Sequence, residues 1–514
     1  MKKITIFILV LLILALGFFL RIYNIENTPP GIYPDEAVNG KDAIKAFKNG
    51  TYELFYTDNN GREGLFINLI ALSFSFFGIS ILALKLPSIV FGTLTILGVY
   101  LLSKELFNKR LALISSFLLA ISFWAINFSR IAFRAVMLPM LLVFSFYFIF
   151  RGLRTKKWWD FAIGGFIFGI GIHTYIAWRI APLILILMLV FFILSRRNFI
   201  KEYWKLILIF LLFSIISALP MLATFYAHPE YLESRSASIS IFSPEVNNGN
   251  PVGAFLRSFS LSLIKYNFVG DMNWRHNYRP YPLLEFFTGL AFLFGFIYSL
   301  RHFFSLLIKR LFKKSLGKNL EKYAFLLIWF FLMLAPEFLT AEGNPHALRA
   351  IGMLPVVFIL SGLGFENFIQ KRNKAKKSVA ILVLLILIFA GTFESIKYHY
   401  FWANKPKVAS SFDKNLQDIS HYLKTLPTKD EKYIITSNNT LIKYPIYIFN
   451  YDSPNIYYIY PNELAKIAPK NINTFHIILL EKNKQVIDEL EKKYPQLKLE
   501  EKNNSLESKF YILK

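Results

Sequence analysis

The sequence predicts a mainly α-helical, polytopic membrane protein. The expected architecture is a transmembrane helix bundle of about 11–13 spans with amphipathic helices on its outer face, plus a small C-terminal α/β soluble domain. Three observations carry this reading. Hydrophobic residues make up 55% of the 514 residues and charged residues 18%, against roughly 45–50% and ~25% in ordinary soluble domains. The apolar residues come in long runs, as at 4–20, 207–219 and 380–390, and runs of about 18 residues with few charges mark membrane-crossing helices. From Lys405 onward the chain turns polar and lysine-rich.

Residues 4–20 follow Lys2 and Lys3 as the core of a signal peptide would. The stretch is long, however, and Arg21, Ile22 and Tyr23 follow it in place of a small-residue cleavage site. It therefore reads as a retained first span. The formal net charge is +25, which in a soluble chain would suggest nucleic acid. Here the basic residues sit in short loops between apolar runs, the pattern of loops held in the cytoplasm, and nucleic acid is not an expected partner. The absence of cysteine excludes disulfides, zinc–thiolate sites and a cysteine nucleophile.

Basic clusters at Lys2 and Lys3, 104–110, 151–157, 196–205, 301–322 and 371–377 mark the inside. The acids gather between them, at 26–63, at 227–285, and at Glu337 and Glu342. This alternation works only if one of the two apolar runs 65–78 and 81–103 fails to cross. The first, about 14 residues against the ~20 needed, is expected to be re-entrant or interfacial. The N-terminus is then inside and the C-terminus outside, in a plasma (inner) membrane. Residues 1–400 form the membrane domain and 405–514 the extracytoplasmic domain. In the latter, strands are expected at 433–436, 447–449, 456–459, 476–480 and 510–513, with helices at 412–423 and 483–493, an α/β pattern.

Five outer segments hold candidate site residues. In the first, Pro34 opens a short amphipathic helix over 35–47, with Asp35 and Glu36 in its first turn; the two acids either cap that helix or act in a site. Arg62 and Glu63 end the same loop at the entrance of an apolar helix. The second segment carries Arg130 and Arg134, four apart and so on one helical face, either snorkelling to headgroups or offering phosphate a planar fork. The third combines His173, Tyr175, Trp178 and Arg179; an aromatic belt accounts for Tyr175 and Trp178 but not for the histidine and arginine. The fourth packs Asp271, Asn273, Arg275, His276 and Asn277 into one loop. The fifth holds His346 and Arg349, three apart, opening a helix. Ionisable groups near membrane depth are costly and line cavities or pathways. An acid that deprotonates a hydroxyl, facing arginines that hold a phosphate leaving group, suits this set.

With Asp35-Glu36 in the first outer loop, Arg62-Glu63-Gly64 at a helix entrance, the stretch from Leu84 to Phe107, Asp271 with His276 and Asn277, and His346 with Arg349, the chain resembles the C-type integral-membrane glycosyltransferases of the protein O-mannosyltransferase and lipid A aminoarabinose transferase type. The resemblance covers roughly residues 21–395. It implies a polyprenyl-phosphate-sugar-dependent transferase with Asp35 as base toward, or orienter of, the acceptor, and Arg62 in the place of a residue that touches the phosphate. It also implies a lipid-linked sugar donor and a protein, lipid or glycan acceptor, among membrane lipids. No nucleotide is needed. Some relatives carry an acid where Arg130 and Arg134 stand, so no cofactor is demanded and a divalent metal is left open. The C-terminal domain lies outside the resemblance. Two other classes are weighed against this enzyme. A transporter or flippase of lipid-linked sugars would show internal repeats with broken helices near mid-bilayer, and no repeat is evident. A structural or export component would leave the acidic pair without a task.

Overall fold

The computed structural model describes residues 2–233, 240–313, 320–340, 343–371, 376–436, 440–471 and 474–514. Glu342 of the third acidic segment lies outside them. The chain is mainly helical with a small C-terminal sheet. It divides into two compact units: residues 1–23, 53–66 and 87–398 form one, and residues 24–52, 67–86 and 399–514 the other.

In the first unit the apolar runs become long helices. Among the described residues, eight helices are long and apolar enough to cross a membrane, or nine if one bent pair counts as a single span. The number falls below eleven because several apolar runs make short helices. Trp158–Ile170 has 13 residues and Pro251–Ile264 has 14, about 20 Å at 1.5 Å per residue, against a hydrocarbon core of ~30 Å; Leu65–Phe77, expected not to cross, has 13.

Close helix pairs are set by glycine. On Trp158–Ile170, Gly165 and Gly169 sit against the backbone of Phe210 and Ser214 in Phe199–Ala227. Gly295 of Phe286–Lys313 meets Leu360, and Gly364 of Leu354–Gln370 meets Ala291, so that pair is glycine-lined from both sides. Small residues let helix backbones approach where lipid gives no hydrophobic drive to associate.

The bent pair is Lys109–Ile121 and Phe123–Ser129, at 59°. Ser122 adopts an extended conformation at the break, and the Glu394 carboxylate accepts the Phe123 N–H at 2.6 Å. A carboxylate at a helix N-terminus satisfies an amide the break exposes and complements the helix dipole.

The second unit holds the helix Pro34–Asn49, close to the expected bounds, with Pro34 in its first turn and Gly50 ending it at φ 68°. It also holds a five-stranded sheet of β3 (Glu431–Ile435), β4 (Ile456–Ile459), β5 (Phe475–Leu479), β6 (Leu499–Asn503) and β7 (Lys509–Leu513); β1 (Phe55–Tyr56) and β2 (Arg62–Glu63) are a hairpin in the first unit. The sheet order is β4-β3-β5-β7-β6, with β4, β3 and β5 parallel and β7 and β6 antiparallel. Side chains alternate between its faces. Tyr433, Ile435, Ile477 and Leu479 pack with Val486 and Leu490 of the helix Lys484–Lys493. Ile434, Ile478 and Ile512 pack with Leu416, Ile419 and Leu423 of the helix Lys414–Thr425 and with Ile446.

Two sequence expectations change here. Residues 447–449, expected as a strand, belong to the helix Tyr444–Phe449. Pro445 lacks the N–H a strand would use but fits a helix's first turn, and Ile446 fills the layer over the sheet. Strand β6 is an addition: its charged sequence hides a strand, and charge is normal on a sheet edge.

Candidate functional site

The first unit gathers two groups of the expected residues. One is built on the β1–β2 hairpin. Arg62 and Glu63 are both buried, and Arg62 Nε donates to the Asp58 carbonyl at 3.1 Å. Arg134 Nε donates to Glu63 Oε2 at 2.6 Å, and its guanidinium lies 5.9 Å from the Tyr175 ring. Glu63, Arg134 and Tyr175, one from each of the first three segments, therefore converge. Glu63 is also within electrostatic reach of His173 and Arg179. His173 Nε2 contacts the Ser217 carbonyl at 3.0 Å, so its ring ties two helices together.

Arg179 donates to the Leu232 carbonyl at 3.0 Å and lies over Phe225. It lines a groove of about 490 Å³ whose other walls are Ile172, Leu222, Phe225, Tyr226, Pro229 and Leu232. Phe55 of the hairpin stacks on Tyr231 and meets Phe225 edge-on, joining hairpin to groove.

Arg130 does not join this group through a shared helical face. The helix ends at Ser129, and Arg134 starts a separate 3₁₀ turn. Arg130 is buried, donates to the Leu20 carbonyl at 2.9 Å and sits over Tyr398. The four-residue spacing places both on one face only within a continuous helix, and Arg130 is the helix C-cap.

The second group joins the fourth and fifth segments. Buried Asp271 accepts from the Asn273 amide at 2.8 Å, the Ala347 amide at 2.7 Å and His276 Nδ1 at 2.9 Å. The His276 and His346 rings are 4.8 Å apart. Trp124 and Asn127, on the helix after the bend, donate to the carbonyls of Ala347 and Arg275. The bent helix thus holds both loops. His346 and Arg349 lie in a turn, with the helix proper starting at Leu354. Arg349 Nη1 donates to Thr340 Oγ1 at 2.7 Å.

Burial alone would push the Asp271 carboxyl up. The charge and hydrogen bond of His276, helped by His346 and the Asn273 amide, outweigh it and hold it below the usual carboxylate range. Burial, with His276, Arg349 and Lys265 adding to it against the opposing pull of Asp271, holds the His346 imidazole well below its ordinary range. Metal ligation takes a deprotonated carboxylate and neutral imidazoles. One ligand atom each from Asp271, His276 and His346 lies within 4.8 Å of the others. This donor set fits a divalent cation of the zinc type.

Sequence reasoning passed over two partners. Lys265 and Glu337 form a fully buried ion pair, and Glu337 Oε1 accepts the His346 amide at 2.9 Å. The available signal was an ionisable residue inside an apolar run, as Glu337 is.

In the second unit, Asp35 is half-buried and Glu36 fully buried in the first turn of Pro34–Asn49. Glu36 Oε1 accepts the Tyr33 amide at 3.3 Å, so Glu36 caps the helix that presents Asp35.

Residues 65–222 match the model of the dolichyl-phosphate-mannose-protein mannosyltransferase family. A stretch of 236 residues is 27% identical to the Bacillus subtilis (strain 168) protein named “Putative mannosyltransferase YkcB”. That match covers 43% of this chain and 30% of the relative's length. The structure of ArnT from Cupriavidus metallidurans bound to undecaprenyl phosphate matches at TM-score 0.54 and 10% identity, covering 100% of this chain and 98% of that one. The Archaeoglobus fulgidus oligosaccharyltransferase, in complex with Zn and sulfate, matches at TM-score 0.55 and 16% identity, covering 92% and 67%. Similarity at this identity speaks to the fold. The chain is a multi-span membrane protein with the fold of the C-type glycosyltransferases, and its residues 65–222 match the dolichyl-phosphate-mannose-protein mannosyltransferase family.

Proposed function

We propose that the protein is a membrane glycosyltransferase that moves a sugar, mannose, from a polyprenyl-phosphate donor to a protein, lipid or glycan acceptor on the extracytoplasmic face. The observation that carries this reading is the apolar groove with Arg179 in its wall, joined through Phe55 to the hairpin bearing Arg62 and Glu63. An apolar channel beside arginines suits a ligand that is hydrocarbon at one end and phosphate at the other. The fold supports the reading, since the matched ArnT structure is bound to undecaprenyl phosphate.

In this reading the polyprenyl chain lies along Leu222, Phe225 and Leu232. Arg179 and Arg134, the latter oriented by Glu63, face the phosphate, with Arg62 stiffening the hairpin. The Asp35 carboxylate takes the proton of the acceptor hydroxyl. The acceptor oxygen bonds to the anomeric carbon as the bond from that carbon to the phosphate oxygen breaks, and polyprenyl phosphate leaves. One displacement with one base inverts the anomeric centre. Asp271, His276 and His346 would hold a divalent cation, which when bound supplies Lewis-acid charge.

The test is a transfer assay on purified protein with radiolabelled polyprenyl-phosphate mannose and a membrane extract as acceptor. Wild type should release polyprenyl phosphate. Asp35→Asn, folded to the same extent, should lose at least a hundredfold in rate, within the ~10²–10⁴ attributed to a general base. Equal release from both would remove Asp35 from the mechanism. No turnover of any lipid-linked sugar would end the transferase reading.

A further inference from the structure

The helix that carries Asp35 does not stand alone. Residues 24–52 fall in one compact unit with the C-terminal domain, and the two are joined at three places along the loop. At its start, Gly31 takes φ 99° and runs against the backbone of Phe412 and Lys414; a Cβ there would lie 2.9 Å from the Lys414 amide nitrogen. Nearby, Gln417 Nε2 donates to the Glu26 carbonyl at 3.3 Å. At the middle of the acidic helix, Gly40 leaves room for Ile448 of the helix Tyr444–Phe449. A Cβ on Gly40 would lie 2.7 Å from Ile448 Cδ1 and 3.2 Å from Leu84 Cδ1. Toward the end, Lys41 and Lys48 sit over the rings of Tyr444 and Tyr451, at 5.0 and 4.1 Å.

Glycine inside a helix costs about 1 kcal/mol relative to alanine, so Gly40 makes sense where a neighbour needs the space. A helix of 16 residues is marginal by itself in water and depends on what it packs against. The buried face of this one is made of small residues, Ala37, Gly40 and Ala43, beside Ile44. Ile448 is itself completely buried.

We infer that the C-terminal α/β domain is the positioning device of the acidic helix: through Ile448 and Tyr444 on Gly40 and Lys41 it holds the turn that presents Asp35. This deepens the transferase reading and rests on it for its catalytic consequence. The groups assigned to the donor lipid, Arg134, Arg179 and the apolar groove, all belong to the other unit. Loosening the Gly40–Ile448 contact therefore slows the acceptor-dependent step and leaves donor binding as it was.

The experiment uses the full chain and two variants, Gly40→Val and Gly40→Val with Ile448→Ala. Amide hydrogen exchange over residues 34–49 reads the positioning without any activity. Gly40→Val should raise exchange there, and Ile448→Ala on top should restore protection by removing the side chain that the valine displaces. In the transfer assay, Gly40→Val should lower kcat at least tenfold with undecaprenyl phosphate binding within twofold of wild type, and the double variant should regain most of the rate. Unchanged exchange in Gly40→Val, or no recovery in the double variant, overturns the positioning role. Donor binding that falls in parallel with kcat overturns the separation of acceptor from donor. If wild type turns over no lipid-linked sugar, the transferase reading fails, while the exchange data still decide whether the domain holds the helix.

Discussion

The buried Lys265–Glu337 pair shows how single residues carry the second group. Glu337 bonds the His346 amide as well as Lys265, so it fixes a loop backbone beside Asp271. Removing one charge strands the other away from water. Lys265→Met is expected to cost roughly 3–5 kcal/mol, and Lys265→Met with Glu337→Gln to recover part of it, since no unpaired charge is then left buried and the amide oxygen still accepts the His346 N–H. Unfolding of the detergent-solubilised protein, followed by circular dichroism, measures both. Metal content tests the neighbouring cluster. Protein supplied with zinc should retain about one equivalent per chain at a three-ligand site, and His276→Ala with His346→Ala should retain none by elemental analysis. The types of these residues were legible because polar groups stand out in an apolar chain. Their pairings were not. Glu63 with Arg134 is separated by 71 positions and Asp271 with Ala347 by 76, and nothing local links residues so far apart. Arg130 and Arg134 show the converse, a spacing that suggested one face across a helix end.

At the scale of elements, helices were read from the length of apolar runs and strands from β-branched and aromatic clusters. The acidic helix, expected over 35–47 and observed over Pro34–Asn49, was found because Pro34 marks its start with backbone chemistry, while its end at Gly50 came from the structure. The helix Tyr444–Phe449 was misread because Tyr, Ile and Phe favour strands, and only the layer it fills over the sheet decides otherwise. Glycine contacts between helices were invisible too, since a glycine in an apolar run has no sign of its own. The pair Phe286–Lys313 and Leu354–Gln370 gives a direct check. Gly295→Val would drive a branched side chain into the Leu360 backbone, which cannot move without bending the helix. The expected loss is about 1–3 kcal/mol, as for overpacking of a core. The same substitution at Gly50, where nothing lies within 4 Å, should act through the strained φ alone. Comparing melting temperatures of the two separates the causes.

For the whole molecule, sidedness is the property most open to test, and the lack of cysteine makes it simple. Thr57→Cys and Lys492→Cys should react with a membrane-impermeant maleimide added to intact cells, and Arg197→Cys only after lysis. Labelling of Arg197→Cys in intact cells would invert the topology argued from the basic loops. The sequence by itself determined the class of the molecule: a membrane-spanning helical chain with an α/β C-terminal domain and polar loops of candidate site residues. It could do so because hydropathy and local backbone preferences are properties of short segments, and the bilayer demands the same apolar length of every span. Only the tertiary structure decided which ionisable groups meet, that the helix before Phe123 breaks at Ser122, and that the first acidic helix folds with the C-terminal domain. These depend on contacts between distant parts of the chain, whose energies come from packing and from desolvated charges finding partners, and no local pattern encodes the partner.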